Sequence, residues 1–294
     1  MDFLPISRNL LMRGNLFYSS SIALVSGVGL WLAFPNFSLF PLAWVSLIPY
    51  LYFLIKTPSW PATFLVHGVM SFVYFSGVLY WIPRVLTIHG KLHWVLALTA
   101  YVFLVLLMSL FLFPFTLLTR WVAQRTVGGA LVCAPGFWIL TEILRNYYPA
   151  NGFPWALLGY SQYPYSWIIQ VADVGGVYLV SFLVVAVNSA ILAFCLRYFT
   201  TTGIFCAFFL VANVYGAYCQ KLWQGDTKTG IKTTLVQPNI GLQENQGHYA
   251  RKYFEVLPDY YRSAVAKGTN WVIFPEAPNP FLYPEDFYFL SFSR

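Results

Sequence analysis

Apolar residues fill most of the first three quarters of the chain in blocks long enough to cross a bilayer. A spanning helix needs about 20 predominantly apolar residues. Such blocks fall at about 16–34, 37–55, 62–82, 94–118, 127–145, 167–196 and 203–222, so the pattern predicts seven spans. The fifth ends on two charges, Glu142 and Arg145. The sixth is too long for one straight helix, and its first part, through Asp173 and Gly175-Gly176, reads as a lead-in. Past residue 230 the pattern changes. "IKTTLVQPNI" carries Thr, Leu and Val in strand proportion and closes on a proline, Pro238. "YARKYFEVLPDYYRSAVAKG" sets Tyr253, Phe254, Leu257, Tyr261 and Val265 near helical spacing, with Pro258 as a kink or a divide between two shorter helices. "NWVIF" reads as a short buried strand. Strand, helix, strand makes one βαβ unit of a larger α/β sandwich.

Composition sharpens this division. The chain is 59% apolar and 9% charged, against about 25% charged in an ordinary soluble domain. Three of its acids, Asp2, Glu142 and Asp173, precede residue 221, and the other seven follow it. The boundary therefore falls near 221, with a transmembrane bundle over 1–222 and a water-exposed part over 231–294. The net charge of +7 does not point to nucleic acid. Most basic residues sit at the ends of apolar runs, where topology and anionic headgroups account for them. The first apolar run is too long for a cleavable signal peptide, and no small-x-small site follows it. With the N-terminus cytoplasmic, that side holds Arg8, Arg13, Lys56, Arg120, Arg125 and Arg197, and the opposite short loops hold Arg84, Lys91 and Arg145. Six against three favours that orientation. An odd number of spans then puts residue 223 onward outside the cytoplasm.

Few residues offer chemistry. Glu276 directly follows the strand "NWVIF". Strand C-termini in α/β domains open into crevices, where a partly desolvated carboxylate serves as a general base; an exposed loop acid is the other reading. Glu142 and Arg145, three apart on a helical run, share a face and are either a structural pair or a substrate-facing one. Asp173 reads as structural. "NGFPWALLGYSQ" marks irregular backbone between two spans, on the same side as the tail. There Trp155 and Tyr160 are interfacial belt aromatics or part of a site. His89 and His93 are four apart but lack a third ligand, so an interface loop explains them better than a metal. His67 reads as a packed intramembrane histidine. Cys133, Cys195, Cys206 and Cys219 have no paired metal spacing and read as small buried hydrophobes. No metal and no cofactor is expected.

"IKTTLVQPNI…NWVIFPEAPNP" resembles the opening of a nitrilase-type (carbon–nitrogen hydrolase) domain, in which a Glu after the second strand works with a Lys and a Cys. With a polytopic membrane part ahead of it, the resemblance is to the apolipoprotein N-acyltransferase family. "LAFPNFSLFPLAWVSLIPYL" is similar to that family's first hairpin and "FSGVLYWI" to its third span. "TEILRNYYPANGFPWALLGYSQ" and "QVADVGGVYLVSFLVVAVN" resemble its central signature.

The resemblance implies a polytopic α-helical membrane bundle followed by the start of an α/β (αββα nitrilase-type) domain. It implies that a Cys thiolate takes an acyl chain from a phospholipid as a thioester. The α-amine of an apolipoprotein's diacylglyceryl-Cys then attacks it, which is the last step of lipoprotein maturation. Glu shuttles protons and Lys stabilises the oxyanion. Glu276 falls at the family's Glu. Trp155, Tyr160, Gln162, Glu142 and Arg145 are the candidate substrate-binding residues, a floor beneath the active site. The partners implied are a phospholipid acyl donor, a diacylglyceryl apolipoprotein acceptor and the membrane. The place implied is a bacterial inner membrane, with the tail periplasmic.

Two departures stand out. The family's Lys and Cys lie downstream of its Glu and have no match in this sequence. The chain is therefore expected to be a C-terminal truncation (a fragment, a broken frame or half of a split enzyme) that is inactive alone. Asn245-Gln246 also stand where the family commonly has Lys-Trp in a substrate-access loop, with Trp223, His248 and Tyr249 nearby. The alternative function is a non-catalytic, lipid-binding or transport-like membrane protein with a vestigial tail.

Overall fold

The computed structural model describes residues 16–57, 59–148, 152–224, 230–237 and 258–274. The chain divides into two units, Met1–Trp223 and Gln224–Arg294. In the first, α1 (Leu16–Leu32) leads to a 3-10 turn (Phe40–Trp44) and α2 (Ile48–Lys56). Then come α3 (Trp60–Val78), a short α4 (Ile82–Ile88), α5 (Trp94–Ala123) and α6 (Val127–Tyr147). Two 3-10 turns (Leu158–Gln162 and Ile168–Val171) precede α7 (Ala172–Cys195) and α8 (Phe199–Gln224). Among the described residues, five helical stretches are long and apolar enough to cross a membrane: Trp60–Val78, Trp94–Ala123, Val127–Tyr147, Ile168–Cys195 and Phe199–Leu222. Two shorter apolar stretches, Ser19–Leu32 and Phe40–Lys56, stand at the positions of the first two predicted spans. This is a multi-pass membrane bundle.

The second predicted span is not one helix. Pro41 and Pro49 each occupy the first turn of a separate helical piece. A proline there gives up an N–H that has no intrahelical partner anyway, whereas inside a helix it removes a bond and clashes. The fourth span runs on to Ala123 through Pro114 and takes Arg120 into its last turn. The sixth has the expected lead-in. Helical geometry fails at Gly175 and Gly176, and Gly176 has φ 63° and ψ −172°, a conformation open only to glycine.

Packing follows exposure. The α7 stretch is the most enclosed, with 61% of its apolar window buried; α8 has only 22% buried. Leu96, Phe103 and Leu110 of α5, and Leu210, Val211 and Val214 of α8, are all more than half exposed. Apolar surface of that extent needs lipid to cover it. Small residues let α1 and α3 approach closely, as they do between membrane helices generally: a Cβ at Gly77 would lie 2.1 Å from the Trp31 ring. The cysteines differ from expectation. Cys133, Cys195 and Cys206 are exposed on the bundle and only Cys219 is buried. A small apolar side chain is as well placed against lipid as in a core, so the apolar pattern alone does not separate the two.

In the second unit, β1 (Thr233–Leu235) pairs in parallel with β2 (Trp271–Ile273), Thr234 opposite Val272. A helix over 258–266 (α9) lies between them in sequence. Parallel strands require such a crossover, so the described residues form the expected βαβ order. The strand "NWVIF" is not buried on both faces. Trp271 is 60% exposed and Ile273 46%, on alternate positions. Period-two alternation exposes one face of a two-stranded sheet wherever nothing covers it.

Candidate functional site

The connection between α6 and α7 is where the sequence placed its candidates, and residues 152–171 form no α-helix. Irregular backbone at membrane depth persists only where its polar groups find partners inside the protein. Glu142 and Arg145, near the C-terminal end of α6, supply them. Glu142 Oε1 accepts from the Leu158 amide at 2.7 Å and from the Trp138 indole at 2.9 Å. Arg145 Nη2 donates to the Ala156 carbonyl at 3.1 Å, and the Tyr74 hydroxyl donates to the same oxygen at 3.2 Å. The Ser181 hydroxyl accepts from the Gly159 amide at 2.8 Å and also interacts with the Glu142 carboxylate. The hairpin so held is tightly turned. Gly152 has φ 76°, and a Cβ there would fall 1.9 Å from the Asn146 carbonyl oxygen. Ala156 carries φ 59° without being glycine, a conformation that costs an L-residue energy and persists only when its surroundings hold it.

Gln162 extends the same arrangement. Its Oε1 accepts from the Trp44 indole at 2.8 Å, and its Nε2 donates to the Phe40 carbonyl at 3.3 Å and to Ser161 Oγ at 2.8 Å. It thereby ties the 3-10 turn Phe40–Trp44 to the one at Leu158–Gln162. Asn188 of α7 closes the gap between that first turn and α2. Its Oδ1 accepts from the Leu47 amide at 2.9 Å and its Nδ2 donates to the Ala43 carbonyl at 2.8 Å. Elsewhere, Arg120 Nη1 donates to the Thr57 carbonyl at 2.7 Å, just past the end of α2. His67 packs as expected: its Nε2 lies 3.0 Å from the Ser109 carbonyl and its Nδ1 2.8 Å from Thr116 Oγ1.

The five candidate residues fall into two groups. Glu142, Arg145 and Gln162 are buried, while Trp155 is 51% and Tyr160 45% exposed. The Trp155 ring lies 4.8 Å from Trp81 and 6.3 Å from Phe153, so the tip of the hairpin presents an aromatic cluster. Glu142 and Arg145 make no direct salt bridge within 4 Å. Each keeps one polar atom without a hydrogen bond, Oε2 and Nη1, and both side chains line a small cavity. Glu276 lies outside the described residues, as do Asn245, Gln246, His248 and Tyr249. Asp173 accepts from the Tyr215 hydroxyl at 2.6 Å, which links α7 to α8. Among the described residues no three His, Cys, Asp or Glu side chains gather as a metal site. His93 instead caps α5, accepting from the Val95 amide.

Sequence reasoning passed over Tyr74, Ser181, Asn188 and Trp44. The signal was present for two of them: Ser181 and Asn188 are polar residues inside a long apolar run, and such residues need partners. Tyr74 and Trp44 had no comparable mark, because an amphipathic aromatic inside a span looks like any other packed ring.

Comparison with known proteins bears on the same region. The family model described as apolipoprotein N-acyltransferase N-terminal domain matches residues 26–190. That range includes Glu142, Arg145, Trp155, Tyr160 and Gln162. The chain is 29% identical over 277 residues to the apolipoprotein N-acyltransferase of Geobacter metallireducens, covering 90% of this chain and 52% of that protein. It is 29% identical over 209 residues to the Aquifex aeolicus protein of the same name, covering 70% and 45%. For the Coxiella burnetii protein the figures are 27% over 278 residues, covering 91% and 55%. The chain thus spans about half the length of these relatives.

Proposed function

Because the chain belongs to the apolipoprotein N-acyltransferase family through its N-terminal domain, we propose that it serves a phospholipid:apolipoprotein N-acyltransferase of the bacterial inner membrane. Its bundle holds the two lipid-bearing substrates, and the unit from Gln224 onward belongs to the catalytic, nitrilase-like domain on the periplasmic side. The acyl group passes from a phospholipid to a Cys thiolate, and from that thioester to the α-amine of the acceptor's diacylglyceryl-Cys. Glu276 takes the thiol proton and passes it to the departing lysophospholipid oxygen, then takes the amine proton and passes it to the departing Cys sulfur. Residues 1–294 include no match to the family's Lys and Cys, so the Cys-dependent step is assigned to none of them.

The observation that supports the reading best is the hairpin between α6 and α7. An intramembrane carboxylate and guanidinium turn inward to hold its backbone, and Trp155 and Tyr160 project outward from it. Exposed aromatics over a fixed backbone suit the junction of acyl chains and headgroup in a lipidated peptide. In this reading Trp155 and Tyr160 touch substrate, whereas Glu142, Arg145 and Gln162 position them.

The test uses the chain in phospholipid nanodiscs and a diacylglyceryl lipopeptide bearing a diazirine. The expected result is saturable cross-linking to the 152–163 segment. Unlabelled diacylglyceryl lipopeptide should compete with it better than unmodified phospholipid does. Equal competition by any lipid would instead favour a non-catalytic lipid-binding protein, and absence of saturable cross-linking would overturn the substrate reading.

A further inference from the structure

The cavity beside Glu142 lies inside the bundle, walled by α3, α5, α6 and the backbone near Ala156. It has room for about one water molecule. Its walls are mostly apolar, including Phe75, Met108, Leu112 and Trp138. Two charged side chains also face it, Glu142 at 3% and Arg145 at 4% exposure. Glu142 Oε1 is taken by the Leu158 amide and Trp138, with Ser181 also against the carboxylate, Arg145 Nη2 is taken by the Ala156 carbonyl, and each side chain leaves one buried atom over. Glu142 Oε2 lacks a donor, and Arg145 Nη1 lacks an acceptor. Buried charged atoms left in that state are costly, and native proteins satisfy them with protein or ordered water.

The chemistry of the two loose ends selects the occupant. A cation would suit Oε2 and be repelled by the guanidinium; an anion would suit Nη1 and be repelled by the carboxylate. The pair is neutral as a whole, so its ligand should be neutral, donate one hydrogen bond, accept another and fit a space of water size. We infer that a single buried water donates to Glu142 Oε2 and accepts from Arg145 Nη1. It completes a closed circuit: the Leu158 amide to Glu142, the water to both charged groups, and Arg145 to the Ala156 carbonyl. The hairpin backbone is then held at two points, two residues apart, by one water-linked ion pair. The three irregular residues 156–158 are fixed as a unit and not by independent bonds.

Radiolytic hydroxyl labelling of the full chain in nanodiscs tests this, since a buried side chain is oxidised efficiently only beside a bound water. Met108 and Met70 are of one chemical type, and both are essentially inaccessible, at 1% and 0% exposure. Of the two, only Met108 lines the cavity. Met108 should label several-fold faster than Met70. Leu112→Phe, which fills the cavity with apolar atoms and touches neither charge, should bring Met108 down to the Met70 rate. A Met108 no faster than Met70 in the unsubstituted chain would overturn the inference, and that comparison needs no variant to fold. A fast Met108 that Leu112→Phe leaves unchanged would also overturn it, by placing the water elsewhere.

Discussion

At the scale of single residues, Glu142, Arg145, Gln162 and Asn188 share one task, which is to partner backbone that helices leave unpaired. Glu142 shows what depends on it. Its carboxylate accepts from the Leu158 amide and the Trp138 indole while offsetting the charge of Arg145. Glu142→Leu removes the oxygen that accepts both bonds and leaves a buried guanidinium unbalanced, a change that costs about 3–5 kcal/mol. Glu142→Gln also removes the charge but keeps an acceptor oxygen, and should cost about 1–2 kcal/mol less. Unfolding in detergent, followed by tryptophan fluorescence, checks the difference; equal losses would mean that the charge both variants remove, and not the hydrogen bonds, sets the cost. Trp155→Ala should behave in the opposite way. Its side chain is half exposed, so stability should change by less than about 1 kcal/mol, while cross-linking to the diacylglyceryl lipopeptide should fall sharply. A Trp155→Ala variant that unfolds readily would make that residue a structural anchor.

Elements show where the sequence was legible and where it was not. Among the described residues the apolar blocks coincide with five stretches long enough to span and two shorter ones, because span length and composition are dictated by the bilayer and not by tertiary detail. The sixth span's lead-in was also readable, since Gly175-Gly176 interrupts a run too long for one helix. The break in the second span was not read, although Pro41 and Pro49 mark it. A hydropathy window averages across prolines, and only the partners of the gap reveal it. Those partners come from far away: Asn188 is 141 residues from Leu47 and 145 from Ala43. The roles of Glu142 and Arg145 were half legible for the same reason. Their spacing predicted a shared face, but the backbone they bind becomes visible only once the chain has turned. Asn188→Leu follows from this. It strands the Leu47 amide and the Ala43 carbonyl in an apolar interior and should cost about 2–4 kcal/mol. Hydrogen exchange should quicken first around residues 45–48, ahead of α2 itself. Protection unchanged there would mean that the gap is satisfied without Asn188.

For the whole molecule, the arrangement of spans decides whether the proposed function is possible. On the proposed reading all five long stretches cross, so successive connections alternate sides, and the 79–93 loop, the hairpin from residue 152 and the chain after Leu222 share one side of the membrane. That conclusion does not depend on whether the two shorter stretches cross. The charge bias bears on which side it is. Among the described basic residues, the structure buries one from each group, Arg120 and Arg145, and leaves Lys56, Arg125 and Arg197 exposed on the side assigned to the cytoplasm and Arg84 and Lys91 on the other. On the proposed reading, the hairpin and the chain after Leu222 therefore both lie outside the cytoplasm. Single cysteines in an otherwise cysteine-free chain measure this directly, at Gly230→Cys, Tyr160→Cys and Arg125→Cys, labelled with a membrane-impermeant maleimide on intact spheroplasts. Gly230→Cys and Tyr160→Cys should react before lysis and Arg125→Cys only after it. If Arg125→Cys reacts on intact cells while the other two are shielded, the hairpin and the tail face the cytoplasm and the acyltransferase account fails.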